Sequence, residues 1–340
     1  MMRIAMVSTL AAPVARDAPG TGSVEGLVWA LADGCGRAGH DVTIFGAAGS
    51  SAPGDFVETL PGPYGSNGAP DDWMVCEWIN LCAAVEQSAR FDVVHAHAYG
   101  WGMPLEVFAR AAMLHTVHVW PYDESAQLWR RFPDARVVAL THAQWSAYPD
   151  LVPIDVIPHG VEAGEFAYNA DGGSYACYLG RFIPEKGPIE AIAAARAADV
   201  DLVIAGPANE YFEECVAPLV DGRHVSYVGE VRGAERSALL GEAGLLLAPV
   251  QAPEPFSLVL VEAMMCGTPV VTHALGAAPE VVDDGITGYC APTADALSPL
   301  MLAALELDRA KVRARAEERF SSARMVEDHL RLYERVGGPA

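Results

Sequence analysis

Short apolar runs recur along this 340-residue chain, and stretches with helical periodicity separate them. Such runs, bounded by glycine, proline or aspartate, are typical of buried strands. Strands that alternate with helices predict a parallel, doubly wound α/β sheet. In the first half, the predicted strands are 3–8, 41–45, 92–97, 113–119, 137–141 and 156–158, and the predicted helices are 23–38, 71–89 and 105–112.

The alternation stops at 161–173, where Asn169, Asp171 and the pair Gly172-Gly173 indicate a linker. It then restarts, with predicted strands at 175–179, 202–205, 226–229, 245–249 and 269–272. Two domains of the same α/β type are therefore predicted, facing each other across a cleft, because ligands of open parallel sheets bind beyond the carboxyl ends of the strands. Segment 46–70, rich in glycine and proline, is predicted to be a long loop that borders this cleft as a mobile lid.

The charge and the cysteines narrow the class of protein. A formal net charge of −22 argues against binding to nucleic acid or to an anionic membrane surface. The seven cysteines are scattered, with no Cys-x-x-Cys, so neither a disulfide framework nor a zinc cage is expected. No apolar run reaches the length of a membrane span, and the N-terminus does not look like a signal peptide. A cytoplasmic protein is the expectation.

The stretch from Glu254 to Glu262 holds an apolar run between two carboxylates. Pro255 is predicted in the first turn of a helix that ends near Gly267, with a strand from Thr268 onward. Residues eight apart on a helix differ by about 80° in direction and lie about 12 Å apart, so both carboxylates are predicted to face one ligand. The helix N-terminus at Phe256, Ser257 and Leu258 favours phosphate, and carboxylates accept hydrogen bonds from sugar hydroxyls. These features predict a nucleotide-sugar site.

Two glycine-bounded loops are candidate phosphate sites. Arg181 and Lys186 lie between Gly180 and Gly187, after the first strand of the second domain. Arginine can bind two oxygens at once and lysine adds a point charge, so this loop suits a diphosphate. Residues 20–23 lie between the first strand and its helix, where Gly22 is the candidate. The fingerprint Gly-x-Gly-x-x-Gly fails there because Glu25 takes the place of the third glycine.

Four histidines lie near strand ends: His95, His97, His115 and His118. A metal site is conceivable, but no cysteine or carboxylate stands at a recognisable ligand spacing, so no metal is expected. For His95 and His115 we favour structural roles. Trp101, Trp120 and Tyr122 also follow predicted strands; either they stack on an acceptor or they pack the domain, and the sequence leaves both alternatives open.

The two-glutamate stretch with its following Gly-Thr-Pro-Val-Val, together with the Gly-Arg…Lys-Gly loop, resembles the signature of the retaining GT-B glycosyltransferases of family 4. Residues 156–162 and 275–288 resemble further segments of this family, of which the first is an expected interdomain hinge. The resemblance implies that Arg181 and Lys186 stabilise the departing diphosphate and that Glu254 orients the sugar. It also implies that Glu262 holds the ribose, that Val228 lies near the base, that His118 contacts the transferred sugar and that His97 faces the acceptor. No metal or other cofactor is implied, because the two cations replace it.

The resemblance further implies an acceptor-side domain at 1–160, a donor domain at 161–324 and a final helix at about 325–340 that packs back on the first domain. The expected reaction moves a hexose-type sugar from a nucleotide-diphosphate sugar to a small soluble acceptor, with retention of configuration. A sugar-nucleotide epimerase and a non-catalytic sugar-nucleotide-binding protein remain alternatives. A pyridoxal-type phosphorylase is disfavoured because the chain has only Lys186 and Lys311. The base, the sugar, the acceptor and the oligomeric state stay open.

Overall fold

A computed structural model describes residues 1–16 and 23–337 of the chain. The chain divides into two compact units. The first unit is Met1–Gly160 together with the segment from Ser322 onward, and the second unit is Val161–Ser321.

The first unit is built on a seven-stranded sheet in the order β3-β2-β1-β4-β5-β6-β7, and all its pairings are parallel. Residues on both faces are buried, which explains why most of these strands are continuous apolar runs. The strands are β1 (Arg3–Val7), β2 (Asp41–Ala47), β3 (Asp55–Leu60), β4 (Val93–Ala96), β5 (Ala112–Thr116), β6 (Val137–Ala139) and β7 (Asp155–Val156), and the helices before the linker are α1 (Ser23–Arg37), α2 (Trp73–Glu86) and α3 (Asp123–Arg131).

The second unit has a six-stranded parallel sheet in the order β10-β9-β8-β11-β12-β13. Its strands are β8 (Ala176–Leu179), β9 (Leu202–Ala205), β10 (Val225–Tyr227), β11 (Leu245–Ala248), β12 (Val270–His273) and β13 (Gly288–Ala291). Its helices are α4 (Pro188–Ala198), α5 (Gly233–Glu242), α6 (Leu258–Met265), α7 (Ala278–Val281), α8 (Ala294–Ala304) and α9 (Arg309–Phe320). The doubly wound α/β prediction is thus confirmed for both halves of the chain.

The last helix, α10 (Ser322–Gly337), packs against α1 and β4 of the first unit. The contact with α1 is close: a Cβ atom added at Gly34 would lie 2.3 Å from a methyl carbon of Val326. Tyr333 is fully buried, and its hydroxyl lies 2.7 Å from Nδ1 of His95 on β4. The C-terminal segment therefore supplies part of the interior of the first unit.

The prediction of a long loop at 46–70 is wrong for Asp55–Leu60, which is the edge strand β3. Phe56 pairs with Ile44 and Val57 with Phe45, so backbone hydrogen bonds to β2 hold the middle of the proposed lid. The predicted helix at 105–112 is also wrong: a 3₁₀ helix at Met103–Phe108 precedes β5. The sequence pattern did not indicate α3 or β13.

No helix within residues 1–16 and 23–337 has the length and apolar character needed to cross a lipid bilayer. All seven cysteines are free thiols.

Candidate active site

The Gly180–Gly187 loop brings Lys186 to Glu254. The two side chains form an ion pair between Nζ and Oε1, and each is about a quarter exposed, with 24% for the lysine and 22% for the glutamate. Gly187 has a left-handed φ of 67° and stands at the N-cap of α4. A Cβ atom there would lie 2.1 Å from the carbonyl oxygen of Pro249, so only glycine lets the loop approach the segment that follows β11.

Glu254 lies before α6 and not on it, so the predicted helix start at Pro255 is wrong. The helix begins at Leu258 with Ser257 as its N-cap residue, and it ends before Gly267 as expected. The eight-residue helical spacing therefore does not relate Glu254 to Glu262. Glu254 is instead held through its backbone, because its carbonyl oxygen accepts a hydrogen bond of 2.9 Å from the amide of Ala277.

The loop that holds Glu254 requires a second glycine. Gly276 has a φ of 55°, and a Cβ atom on it would lie 2.5 Å from the amide nitrogen of Glu254. The second carboxylate oxygen of Glu254, Oε2, is buried and has no hydrogen-bond partner. A small pocket adjoins this carboxylate, lined by Val250, Glu254, Ser257, Leu260, Thr272, Leu275, Ala277 and Ala278. The site thus offers a fixed acceptor atom beside the N-terminus of a helix, where amide groups lack intrahelical partners.

Glu262 lies inside α6 and is 8% exposed. Its carboxylate forms an ion pair of 3.1 Å with Arg236 of α5. Burial raises the pKa of Glu262, and the positive charge of Arg236 acts in the opposite direction. The sequence analysis missed Arg236, although it is the only cation in α5 and its guanidinium also lies 5.6 Å from the ring of Phe166.

Because Arg236 forms an ion pair with the buried carboxylate of Glu262, we expect their replacements to be non-additive. Arg236→Ala should weaken nucleotide binding about tenfold, since an unpaired buried carboxylate is costly and shifts toward its neutral form. Calorimetric titration with the donor nucleotide should give a coupling of about 1 kcal/mol or more between Arg236→Ala and Glu262→Ala. Arg196→Ala, at an exposed arginine of α4, is the matched control. Additive effects, within a few tenths of a kcal/mol, would contradict a shared role.

The remaining donor-side candidates lie past strand ends of the second unit. Arg181 is exposed, and its backbone carbonyl accepts a hydrogen bond of 2.9 Å from the Tyr178 hydroxyl. Val228 follows β10 directly and is 50% exposed. Phe256 is buried with its ring edge-on to Phe320 at 5.8 Å, so any contact with a ligand is left to its backbone. Gly22 lies outside the described residues.

In the first unit, a row of imidazole rings runs through the ends of β4 and β5. His97 Nδ1 lies 3.0 Å from His118 Nε2, and His118 Nδ1 lies 3.3 Å from His159 Nε2. The ring of His95 lies 4.1 Å from that of His97 and 5.4 Å from that of His329. We call these five residues the histidine row. His159 and His329 belong to it although the sequence analysis did not connect them with His97 or His118.

The histidine row is uncharged at neutral pH. Burial lowers the pKa of His118 to about 3 and that of His329 to about 4, and it holds the pKa values of the other three well below their ordinary range. Both ring nitrogens of His118 are engaged by neighbouring imidazoles, so a sugar contact through either nitrogen requires one of these bonds to break. Among the residues that the structure describes, no three His, Cys, Asp or Glu side chains are arranged to hold a metal ion.

The acceptor-side aromatic candidates occupy different settings. Trp101 is half-buried, 6.4 Å from the ring of Trp73, which in turn lies 5.2 Å from Tyr99. The indole nitrogen of Trp101 is buried without a partner. Trp120 is half-buried and Tyr122 is 46% exposed at the start of α3. His115 hydrogen bonds to Glu106 at 2.7 Å, which agrees with a structural role.

Comparison with known proteins identifies the class. The structure of AviGT4, a glycosyltransferase involved in avilamycin A biosynthesis, is 26% identical and superposes with a TM-score of 0.74 over 100% of this chain and 99% of that one. Sucrose-phosphate synthase from Thermosynechococcus elongatus (20% identical, TM-score 0.80, 98% and 99% covered) and the HepE protein of Anabaena with UDP and glucose (19%, 0.73, 98% and 100%) have the same fold. The protein is a glycosyltransferase of the GT-B fold.

Two family models match consecutive parts of the chain. "Glycosyltransferase Family 4" matches residues 24–165 and "Glycosyl transferases group 1" matches residues 165–320. The phosphatidyl-myo-inositol mannosyltransferase of Mycolicibacterium smegmatis is 28% identical over 99% of this chain and 95% of its own length. The D-inositol 3-phosphate glycosyltransferase of Actinosynnema mirum is 28% identical over 89% of each chain. The chain therefore belongs to glycosyltransferase family 4, and its second half matches the group 1 model.

Proposed function

We propose that this glycosyltransferase moves a hexose-type sugar from a nucleotide-diphosphate sugar to a small soluble acceptor, with retention at the anomeric carbon. The observation that carries the proposal is the Lys186–Glu254 pair beside the pocket, with Glu254 Oε2 buried and unpartnered. Such an oxygen can accept hydrogen bonds from the hydroxyls of a donor sugar. The adjacent N-terminus of α6 suits the negative charge of a diphosphate.

The roles of the two cations follow from the charge that develops during the reaction. As the bond to the anomeric carbon breaks, negative charge grows on the departing diphosphate, and Arg181 and Lys186 stabilise it. Bound diphosphate would compete with Glu254 for the ammonium group of Lys186, so donor binding would free the carboxylate for the sugar. On this account the two cations perform the role that a divalent metal has in other transferases, and no cofactor is needed.

The remaining assignments complete the donor and acceptor sides. Backbone amides at Phe256, Ser257 and Leu258 receive phosphate oxygens, Glu262 holds the ribose through its pair with Arg236, and Val228 borders the base. His118 contacts the transferred sugar from the histidine row. His97, Trp101 and Trp120 belong to the acceptor side, so the first unit would receive the acceptor and the second unit the donor.

The compartment and the acceptor belong to the same proposal. A net charge of −22 opposes binding to anionic lipid, which favours a soluble acceptor in the cytoplasm over a membrane lipid. A flotation assay with anionic liposomes tests this part. Tight membrane binding with activity only on lipid-linked acceptors would contradict it.

The reaction itself is tested by turnover in EDTA combined with NMR of the product. UDP is the nucleotide in one structural neighbour, so UDP-hexoses come first in a thermal-shift screen that also includes GDP- and ADP-hexoses, because a ligand bound only by the folded protein raises Tm. We expect undiminished turnover in EDTA and a product with the anomeric configuration of the donor. An inverted product, or activity that returns only with Mg²⁺, would refute the mechanism. Sugar interconversion without an acceptor would instead indicate an epimerase.

A further inference from the structure

Two buried carboxyl groups in the first unit have no part in the reaction described above. Glu25 on α1 and Glu77 on α2 are each 1% exposed. Glu25 Oε1 accepts hydrogen bonds from the Thr9 hydroxyl at 2.8 Å and from the amides of residues 11 and 12 at 2.9 and 3.2 Å. Glu77 Oε1 accepts one from the Leu10 amide at 3.0 Å. Both side chains therefore hold the same short segment, at the carboxyl end of β1.

The second oxygen of each carboxyl group has no partner. Oε2 of Glu25 and Oε2 of Glu77 are buried and make no hydrogen bond. Three other buried atoms that follow β1 or β4 in the chain share this condition: Oγ of Ser8, directly after β1, Nε2 of His97, directly after β4, and the indole nitrogen of Trp101. Buried polar atoms in native proteins are nearly always satisfied by protein, water or ligand. These five unsatisfied atoms, at or beyond the carboxyl ends of the adjacent strands β1 and β4, indicate a site for a polar molecule.

The two carboxyl groups differ in their protonation. Burial raises the pKa of Glu77 to about 8, so it carries a proton at neutral pH. Because its Oε1 accepts from Leu10, that proton belongs on the free Oε2, which becomes a donor. Burial also raises the pKa of Glu25, but its three hydrogen bonds favour the charged form. The pair thus presents a donor on Glu77 beside the free oxygen of Glu25.

An aromatic cluster adjoins the pair. Burial raises the pKa of Tyr99 to about 12, and the negative charge of the Glu77 and Glu25 carboxyl groups adds to this shift. The ring of Tyr99 packs against Trp73, which packs against Trp101. Trp73 is 37% exposed, so this cluster reaches the surface of the first unit. Flat apolar faces beside paired hydrogen-bonding groups suit a ring that carries hydroxyl groups.

We propose that Glu25 and Glu77 are specificity-determining residues that bind hydroxyl groups of a polyhydroxylated acceptor lacking phosphate; the inference rests on the proposed function. A hydroxyl group can donate to Glu25 and accept from Glu77 at once. A phosphate group offers only oxygen acceptors and negative charge, which suits a pair of buried carboxyl groups less well than a neutral hydroxyl group does. Among the described residues, none of the groups that shift the pKa of Glu25 or Glu77 is a cation. A phosphorylated acceptor would therefore lack a counter-charge at this pair.

The test measures kcat/KM for matched acceptors, using the nucleotide-hexose that gives the largest thermal shift. The pairs are myo-inositol with its 3-phosphate, glucose with glucose 6-phosphate and fructose with fructose 6-phosphate. In each pair that contains an active acceptor, we expect kcat/KM to be at least about tenfold higher for the unphosphorylated member. Preference for a phosphorylated member would overturn the inference, as would donor hydrolysis without transfer to any unphosphorylated polyol. Absence of donor binding would refute the proposed function, and the inference would fall with it.

A variant separates a binding role from a structural one. Glu77→Leu should raise the acceptor KM about tenfold or more while the thermal shift caused by the donor is unchanged, because it removes a hydrogen-bonding group from the acceptor side alone. Glu86→Leu, at an exposed residue of the same helix, is the matched control and should change neither quantity. A Glu77→Leu protein with an altered Tm but an unaltered acceptor KM would show that Glu77 only anchors the segment after β1. If this variant does not fold, the kcat/KM values of the matched acceptors with the native protein still test the inference.

Discussion

Replacing Arg181 or Lys186 with alanine should lower kcat about a hundredfold while Tm changes little. An interaction that strengthens as charge develops on the leaving diphosphate affects kcat, and loss of one such group typically costs about 10². Arg181 is exposed, and the Lys186–Glu254 pair is partly exposed, so either loss should cost the folded state little. Lys186→Ala should be the more harmful, because it also leaves Glu254 without its ion-pair partner.

The matched control is Arg223→Ala. Arg223 is also an exposed arginine of the second unit, but it precedes β10 and therefore lies toward the opposite edge of the sheet from the strand ends that carry the site. Steady-state rates and thermal melts of the three variants check the prediction. An Arg181→Ala enzyme with normal kcat and normal Tm would remove Arg181 from the mechanism.

Acidification should destabilise the first unit steeply below pH 6.5. The five residues of the histidine row stay neutral in the folded state because their pKa values are depressed, whereas in the unfolded chain they gain protons near pH 6.5. Glu25 and Glu77 oppose this, since their raised pKa values mean that only the folded state holds those two protons above pH 4.5. Stability should therefore fall as the pH drops from 6.5 toward 4, because the five imidazoles outnumber the two carboxyl groups, and each proton taken up on unfolding contributes about 1.4 kcal/mol per pH unit.

The measurement is urea unfolding between pH 7.5 and pH 5, followed by tryptophan fluorescence. All seven tryptophans of the chain lie before residue 146, so the signal reports the first unit. His329→Gln should reduce the proton uptake by about one, since the unfolded chain then has one fewer group to protonate. A pH-independent free energy of unfolding between pH 6.5 and 5 would contradict the buried, neutral state of the row.

The sequence predicts most of the architecture because the buried parallel strands are continuous apolar runs. The elements β3 and α3 were not predicted, and in each the reason lies in the residues of the segment itself. β3 contains Asp55, Glu58 and Thr59, so an edge strand with polar residues was hidden between glycine- and proline-rich turns. α3 is only nine residues long and largely polar, with Asp123 and Glu124 in its first turn and two arginines in its last, so it contains too few apolar residues to mark a helix in the sequence.

In the candidate site, residues within a short sequence motif could be predicted, whereas residues whose partners are distant in the chain could not. The loop of Arg181 and Lys186 and the segment of Glu254 have compact patterns in the sequence, and the structure joins Lys186 to Glu254 directly. The position of Glu254 outside the helix could not be read from spacing, because Pro255 is equally compatible with a loop. Arg236, His159 and His329 were missed since their partners are distant in the chain: Arg236 and Glu262 are brought together only by the packing of α5 on α6.

The return of α10 to the first unit affects the order in which a ribosome can complete the two units. Residues 161–321 are contiguous, so the second unit can fold as soon as its own segment has emerged. The first unit emerges earlier but lacks Tyr333, the partner of His95, and the helix that covers α1. Until α10 is synthesised, that face remains open to water and to chaperones. Synthesis of this glycosyltransferase would therefore reverse the usual N-terminal-first order of domain folding.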